Sequence, residues 1–447
     1  MKYTFSLFLI ALSLITIPAI AQLQIINTVA GDGTAGYSGD GAAATSAALF
    51  GPLGVAVDNS GNIYIEDVYN HRIRKVNASG EIVTYAGTGA GGYSGDGAIA
   101  TSAAITPNGV AVDKYGNVYV SDAVACVVRK ISTDGIITTV AGTGVAGYTG
   151  DGAAAASARL SSPCGIAVDT AGNLFIADAA NNVIREVSGG IINTIAGLGS
   201  PGYLGDGSLA TNAELDSPFA VAVDNYHNIY ISDFKNNLVR KIDTTGTINR
   251  YAGTFNAYGY TGDLGAATSA TLNGIRGLAV DANRNLFIAD ANNNVIRKVD
   301  TFGIITTAAG NGYAGFGGDL GTVNGANLSS PYGVAVDAAG SLYIADGNNE
   351  RIRKTYSATL GVKTTVTTNN GIAVYPNPFY DNIIVSGLNG SDKVAIYDIT
   401  GRQVSQTWAA TGSTQSFSIN GLSAGVYMLQ VFDNSGSKIT TVRLVKE

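Results

Sequence analysis

The chain has 447 residues, of which only 13% are charged, with 59 glycines, 23 tyrosines and a single tryptophan. That mix favours many short strands joined by tight turns over long helices, and the length exceeds one ordinary domain. A formal charge of −7 sets the surface against phosphate backbones, so nucleic acid is not an expected partner.

Residues 1–21 read as a secretory signal peptide. Lys2 opens the segment, Phe5 to Ile17 is an apolar run too short to span a bilayer comfortably, and small residues at Ala19 and Ala21 precede the expected cleavage point. No later stretch is apolar enough to span a membrane, so no transmembrane anchor is expected.

A repeat follows. "PLGVAVDNSGNIYIEDVYNHRIRKV" runs from Pro52 to Val76, and five relatives of it lead up to Lys354. The aspartate closing each "VAVD" stands at 58, 113, 169, 224, 281 and 337, at intervals of 55 to 57 residues. Within a unit, "GVAVD" is apolar throughout, as a strand buried on both faces should be. An Asp/Asn/Gly turn follows, then the alternating "NIYIED", then "RIRKV" with one wet face, then a fourth strand such as "EIVTYAG". Four-stranded units repeated radially make a propeller and leave few strand edges exposed. The ends fit a closed ring. The sixth unit lacks a fourth strand, and a spare copy, "IINTVAG", stands at residues 25–31 ahead of the first. Residues 25–30 are therefore predicted to complete the blade formed by residues 331–356.

The recurring Pro-x-Gly-[Val/Ile]-Ala-Val-Asp, Gly-Asn-[Ile/Leu]-[Tyr/Phe]-[Ile/Val]-Ala-Asp and Asn-x-x-Ile-Arg-Lys resemble the NHL repeat. The resemblance covers about residues 22–356 and implies a six-bladed β-propeller, most often a binding platform. Ile275 departs from it in place of the leading Pro, as does His227 in place of the turn Gly of unit four.

Between blades runs a long acidic loop, first seen as "GDGTAGYSGDGAAATSAALFGP" at 31–52. Asp40, Asp96, Asp151, Asp206, Asp263 and Asp319 each precede a short Ala-rich stretch with helical spacing, which predicts that they serve as N-caps. The alternative is a ring of carboxylates for Ca²⁺ or sugar hydroxyls. One Asp per loop is too few oxygens for such an ion, so no metal site and no cofactor is expected, with Ca²⁺ the one left open. The aromatics Tyr37 to Phe316 are expected to pin each loop to its blade. The strand-end aspartates and third-strand arginines recur once per unit and read as structural.

A ligand rarely has sixfold character, so the variable positions carry more information. The residue after each leading Pro is Leu53, Asn108, Cys164, Phe219, Arg276 or Tyr332. These six are expected to ring the channel mouth on the long-loop face, and the mixed set suits a recognition surface. Drift at tolerant loop positions is the alternative. Cys126 and Cys164 sit on the same face of neighbouring units, and in an exported chain they are expected to form a disulfide. His71 and His227 fall on opposite faces, which disfavours a His-based zinc site or triad. The inner strands offer no carboxylate before their terminal Asp. An enzyme is therefore less expected than a binding protein; the alternative is a propeller hydrolase or lyase of the lactone, ester or polysaccharide class with a channel metal.

Residues 357–370 read as a polar linker. From 371 to 447 alternating strands with Gly and Asn turns predict a β-sandwich of about seven strands. "VYPNP", "IYDITGR", "LSAGVYML" and the closing "VRLVKE" resemble the type A C-terminal sorting domain of the type IX secretion system. That resemblance implies contact with the secretion machinery and export across the outer membrane, to the cell surface or the medium. The reading as a whole is an all-β exported protein that binds a protein or glycan through the long-loop face of its propeller.

Overall fold

The structure is a computed structural model. It describes residues 23–358, 371–375, 379, 382–419, 422–423 and 425–446; the signal segment 1–21 and most of the linker 357–370 lie outside them. The chain divides into two compact units, one of them Gln24–Tyr356, the other holding the residues from Ser357 onward.

The first unit contains six antiparallel sheets, one per repeat. Their inner strands are Pro52–Val57, Pro107–Val112, Pro163–Val168, Pro218–Val223, Ile275–Val280 and Pro331–Val336. Five of the six second strands, such as Ile63–Asp67 and Leu174–Asp178, are buried along their whole length, because they sit mid-blade between neighbours on both faces. The long loops add a two-residue fifth strand to three blades, as at Ala42–Ala43. They then form a single 3-10 turn, such as Ala44–Ser46, whose first residue drops into the core beside Leu49 and Ile82.

Ring closure follows the expectation. Leu23–Ala30 is the outermost strand of the sheet that continues through Arg351–Ala358, Leu342–Asp346 and Pro331–Val336. Thr28 Oγ1 donates to Asp319 Oδ2 at 2.8 Å, and Ile26 is fully buried in the seam. A second device links blade to blade. The residue after each second-strand loop has left-handed backbone, and in blades 3, 4 and 5 it is Asn182, Asn237 or Asn294. Each side-chain oxygen accepts a backbone N–H of the next blade, from Ser217, Gly274 and Ser330, at 2.6–3.0 Å. In blade 6 the position is Glu350, whose Oε2 accepts from Gly51 N at 2.6 Å and so ties the last blade to the first. Replacing Glu350 by Ala is expected to cost about 1–2 kcal/mol in denaturant titration, the worth of one charge-assisted bond. The same change at Cys126, which fills the position in blade 2 without such a bond, should be near neutral.

The C-terminal unit is a β-sandwich. Ala373–Tyr375, Asn382–Ser386 and Thr414–Ser418 form one sheet; Trp408–Ala409, Lys393–Asp398, Gly425–Phe432 and Lys438–Lys446 form the other. Alternate residues of both, among them Val374, Ile383, Ile396, Phe417, Leu429 and Leu444, make its core. Among the described residues no helix is long and apolar enough to cross a membrane.

Candidate functional site

The recurring loop is an anchor for a buried cation. Arg74, Arg129, Arg185, Arg240, Arg297 and Arg353 on the third strands are each at most 1% exposed. A guanidinium so placed needs a carboxylate. The long loop brings one: Asp40, Asp96, Asp151, Asp206, Asp263 and Asp319 lie 2.5–2.8 Å from the respective arginines. The loop aromatic, from Tyr37 to Phe316, covers the same guanidinium at 4.9–5.2 Å. In five blades the strand-end aspartate adds a second, fully buried carboxylate at 3.3–3.7 Å. Burial pushes Asp178, Asp290 and Asp346 up to about 6 against the pull of their hydrogen bonds and arginines.

The six loop aspartates are therefore not N-caps. The 3-10 turns start some residues later, and none has a side-chain cap bond. A single turn leaves few free N–H groups, and these cannot compete with a buried guanidinium for the carboxylate. Burial raises Asp40, but hydrogen bonds from Thr84 and Tyr37 and the charge of Arg74 outweigh it, so its carboxyl lies below its ordinary value.

The variable positions meet at the channel. Leu53, Asn108, Phe219 and Tyr332 line one recess of about 110 Å³ on the long-loop face. Its floor is the ring of Val55, Val110, Ile166, Val221, Leu278 and Val334, which also closes the channel from the far side. Arg276 stands among three aromatic rings, 4.3 Å from Tyr332, 4.8 Å from Phe234 and 4.9 Å from Phe219. It makes no hydrogen bond or ion pair with the described residues, and burial lowers its pKa. Asn108 Nδ2 donates to Cys164 Sγ at 3.1 Å.

Glu66 joins this recess, a residue that inspection of the inner strands alone missed. It stands on the second strand where the other blades have Ser121, Ala177, Ser232, Ala289 and Ala345. The two serines donate to backbone carbonyls, of Cys164 and Ile275. Glu66 is 3% exposed and has no hydrogen-bond partner among the described residues. Its carboxyl reaches the channel over Gly54: a Cβ there would lie 2.3 Å from the carboxyl carbon. Burial pushes Glu66 up to about 8, so at neutral pH it is a carboxylic acid with an O–H to donate. The signal available in the sequence was the one charged residue in a column of Ser and Ala.

The expected disulfide is absent: Cys126 and Cys164 are both free. Cys164 lies on an inner strand at the recess, whereas Cys126 occupies the left-handed loop position and directs Sγ at Ala123 O. Their shared face does not give them a shared radius. Burial pushes the Cys164 thiol up to about 11, which keeps it unreactive at neutral pH. His71 lies in the loop after a second strand, and His227 in the turn after an inner strand, 3.4 Å from Asp169. Among the described residues no three His, Cys, Asp or Glu side chains converge as metal ligands would.

A larger groove, about 620 Å³, lies between blades 3 and 4 and includes Glu186 and His227. At the corresponding positions blade 3 has Phe175 and Glu186, where blade 4 stacks Lys241 over Tyr230. Glu186 in it is half-buried and pushed up by burial, and His227 lies against Asp169. The recess gathers residues that differ from blade to blade around a carboxyl that is 3% exposed, and for that reason it is the stronger candidate.

Comparisons with known proteins match this architecture. The secretion system C-terminal sorting domain matches residues 373–447, the NHL repeat residues 51–76, and the teneurin NHL domain residues 89–149 and 144–204. Teneurin-4 of Mus musculus is 31% identical over 281 residues, 54% of this chain, and the match spans 10% of the teneurin. NHL repeat-containing protein 2 of Bos taurus is 28% identical over 284 residues, 56% of this chain and 39% of that protein. Among solved structures, a protein of unknown function from Bacteroides thetaiotaomicron superposes with a TM-score of 0.56 at 20% identity, covering 75% of this chain and 76% of the other. An auxiliary nutrient binding protein from the same organism gives 0.54 at 14%, with coverage of 75% and 76%. These two likenesses concern the fold. The chain is an NHL-repeat β-propeller with a C-terminal type IX secretion sorting domain, exported across the outer membrane to the cell surface or the extracellular space.

Proposed function

We propose that the exported propeller is a non-catalytic binding protein that takes a protein or glycan ligand through its long-loop face, with the channel mouth as the discriminating element. One observation carries this reading. The third-strand arginines repeated in every blade each meet a carboxylate, whereas Arg276 and Glu66, each found in one blade only, make no hydrogen bond or ion pair with the described residues; Glu66 lines the recess and Arg276 stacks on two of its walls, Phe219 and Tyr332. Unsatisfied groups of this kind cost stability and persist where a ligand completes them. The nutrient-binding description of the Bacteroides structure of like fold is in keeping with a binding role. The sorting domain supplies the contact with the secretion machinery.

The test is a glycan and peptide array probed with the full-length protein, followed by titration of any hit. Arg276→Ala and Tyr332→Ala are expected to weaken binding at least tenfold with little change in melting temperature. Unchanged affinity in both variants would remove the mouth from the reading. Turnover of a lactone, ester or polysaccharide by the same protein would put the hydrolase or lyase alternative ahead.

A further inference from the structure

We infer that the channel mouth is a subsite for the terminal unit of an acidic glycan, a sugar carrying a carboxylate beside its hydroxyl groups. The inference rests on the reading of the mouth as the ligand face and adds the chemistry of what enters it.

Three features of the recess narrow the ligand. First, Arg276 is a cation with no counter-charge. Its guanidinium lies over Phe219, Phe234 and Tyr332, 4.3–4.9 Å from their ring centres, and its N–H groups have no acceptor among the described residues. A half-desolvated guanidinium edge matches a planar carboxylate, which can take two parallel hydrogen bonds from it. Secondly, the other polar groups of the recess both donate and accept. Glu66 in its acid form offers one O–H and one carbonyl oxygen. Asn108 commits one N–H to Cys164 and keeps its carbonyl oxygen and second N–H. Hydroxyl groups, themselves donors and acceptors, satisfy such a set; a simple fatty acid or inorganic anion would leave it unsatisfied. Thirdly, the recess is shallow and floored by the Val/Ile/Leu ring, so a polymer cannot thread the channel and must enter by an end. A protonated Glu66 also adds no negative charge to oppose an incoming carboxylate.

Calorimetric or NMR titration of the full-length protein with three probes tests this. Methyl glucuronoside carries both a carboxylate and hydroxyls, methyl glucoside hydroxyls alone, and N-acetylalanine a carboxylate at a peptide end. The glucuronoside is expected to bind at least tenfold more tightly than either of the others. Arg276→Gln should abolish that preference, Arg276→Lys should restore part of it, and Glu66→Ala should weaken the glucuronoside several-fold without unfolding the blade, since three sister blades already carry Ala there. Equal binding of glucoside and glucuronoside overturns the inference, as does N-acetylalanine binding as well as the glucuronoside, or a preference that survives Arg276→Gln. A ligand found on the array that depends on Arg276 but is no sugar acid would sink this inference and leave the binding role of the mouth standing. Ligands that ignore both Arg276 and Tyr332 would sink the two together.

Discussion

Glu66→Ala is expected to stabilise the protein by about 5 kcal/mol at pH 8 and by about 1 kcal/mol at pH 4. The direction follows from where the proton sits. In the unfolded chain the carboxyl ionises near its ordinary value of 4.5, whereas in the fold burial holds it protonated up to about 8. Between those values the folded state binds one proton more than the unfolded state, so stability falls as pH rises. Each unit of separation is worth about 1.4 kcal/mol, and the loss is complete once pH passes the folded value. Below 4.5 both states are neutral, and only the unsatisfied acid remains as a smaller cost. Alanine removes both terms, and it is the residue present in blades 3, 5 and 6. Denaturant titration of both proteins at pH 4, 6 and 8 measures the effect. A difference that stays flat across this range would show that the carboxyl is not held in its acid form. A residue that costs this much at the channel mouth, where a neutral alternative recurs in sister blades, fits a role outside stability.

The second large effect concerns the buried arginines. Arg297→Met should lower stability by about 3–5 kcal/mol, because it leaves Asp290 fully buried without its cation. Asp290 is already pushed up to about 6 by burial with the arginine in place, so the variant should take up a proton near neutral pH. At the other end of the cluster, Asp263→Asn should cost about 1 kcal/mol or less. Asp263 is 41% exposed, and water replaces much of what it loses. Thermal unfolding of the two variants separates these cases. Equal losses would mean that the guanidinium is less desolvated than the geometry indicates.

Architecture was legible because it is written six times. The interval between the "VAVD" aspartates gave the blades, and a strand missing at one end with a spare at the other gave the closure through Leu23–Ala30. What failed was the assignment of single side chains whose partners lie far along the chain. Asp40 stands just before a short Ala-rich stretch, which locally mimics a capped helix; its true partner, Arg74, is 34 residues away on the third strand. Cys126 and Cys164 shared a face by topology, but sequence order carries no radius, and one thiol meets Asn108 and Ser162 while the other turns back into its loop. Glu66 was missed because only inner strands were credited with reaching the channel, and Gly54 lets a second strand reach it too. The residues after the leading prolines do gather at the mouth. Leu53, Asn108, Phe219 and Tyr332 line its recess, beside a carboxyl from a position that looked like part of the repeat.

The clasp between Leu23–Ala30 and the last blade ties the earliest-made segment of the propeller to the latest. No ribosomal product that stops short of blade 6 can seal itself, and each such fragment would carry bare hydrogen-bonding rims at both ends. The circle therefore acts as a completeness check on biosynthesis: only a chain translated beyond its final NHL unit hides its sticky edges, and a truncated copy is left open to aggregation and proteolysis.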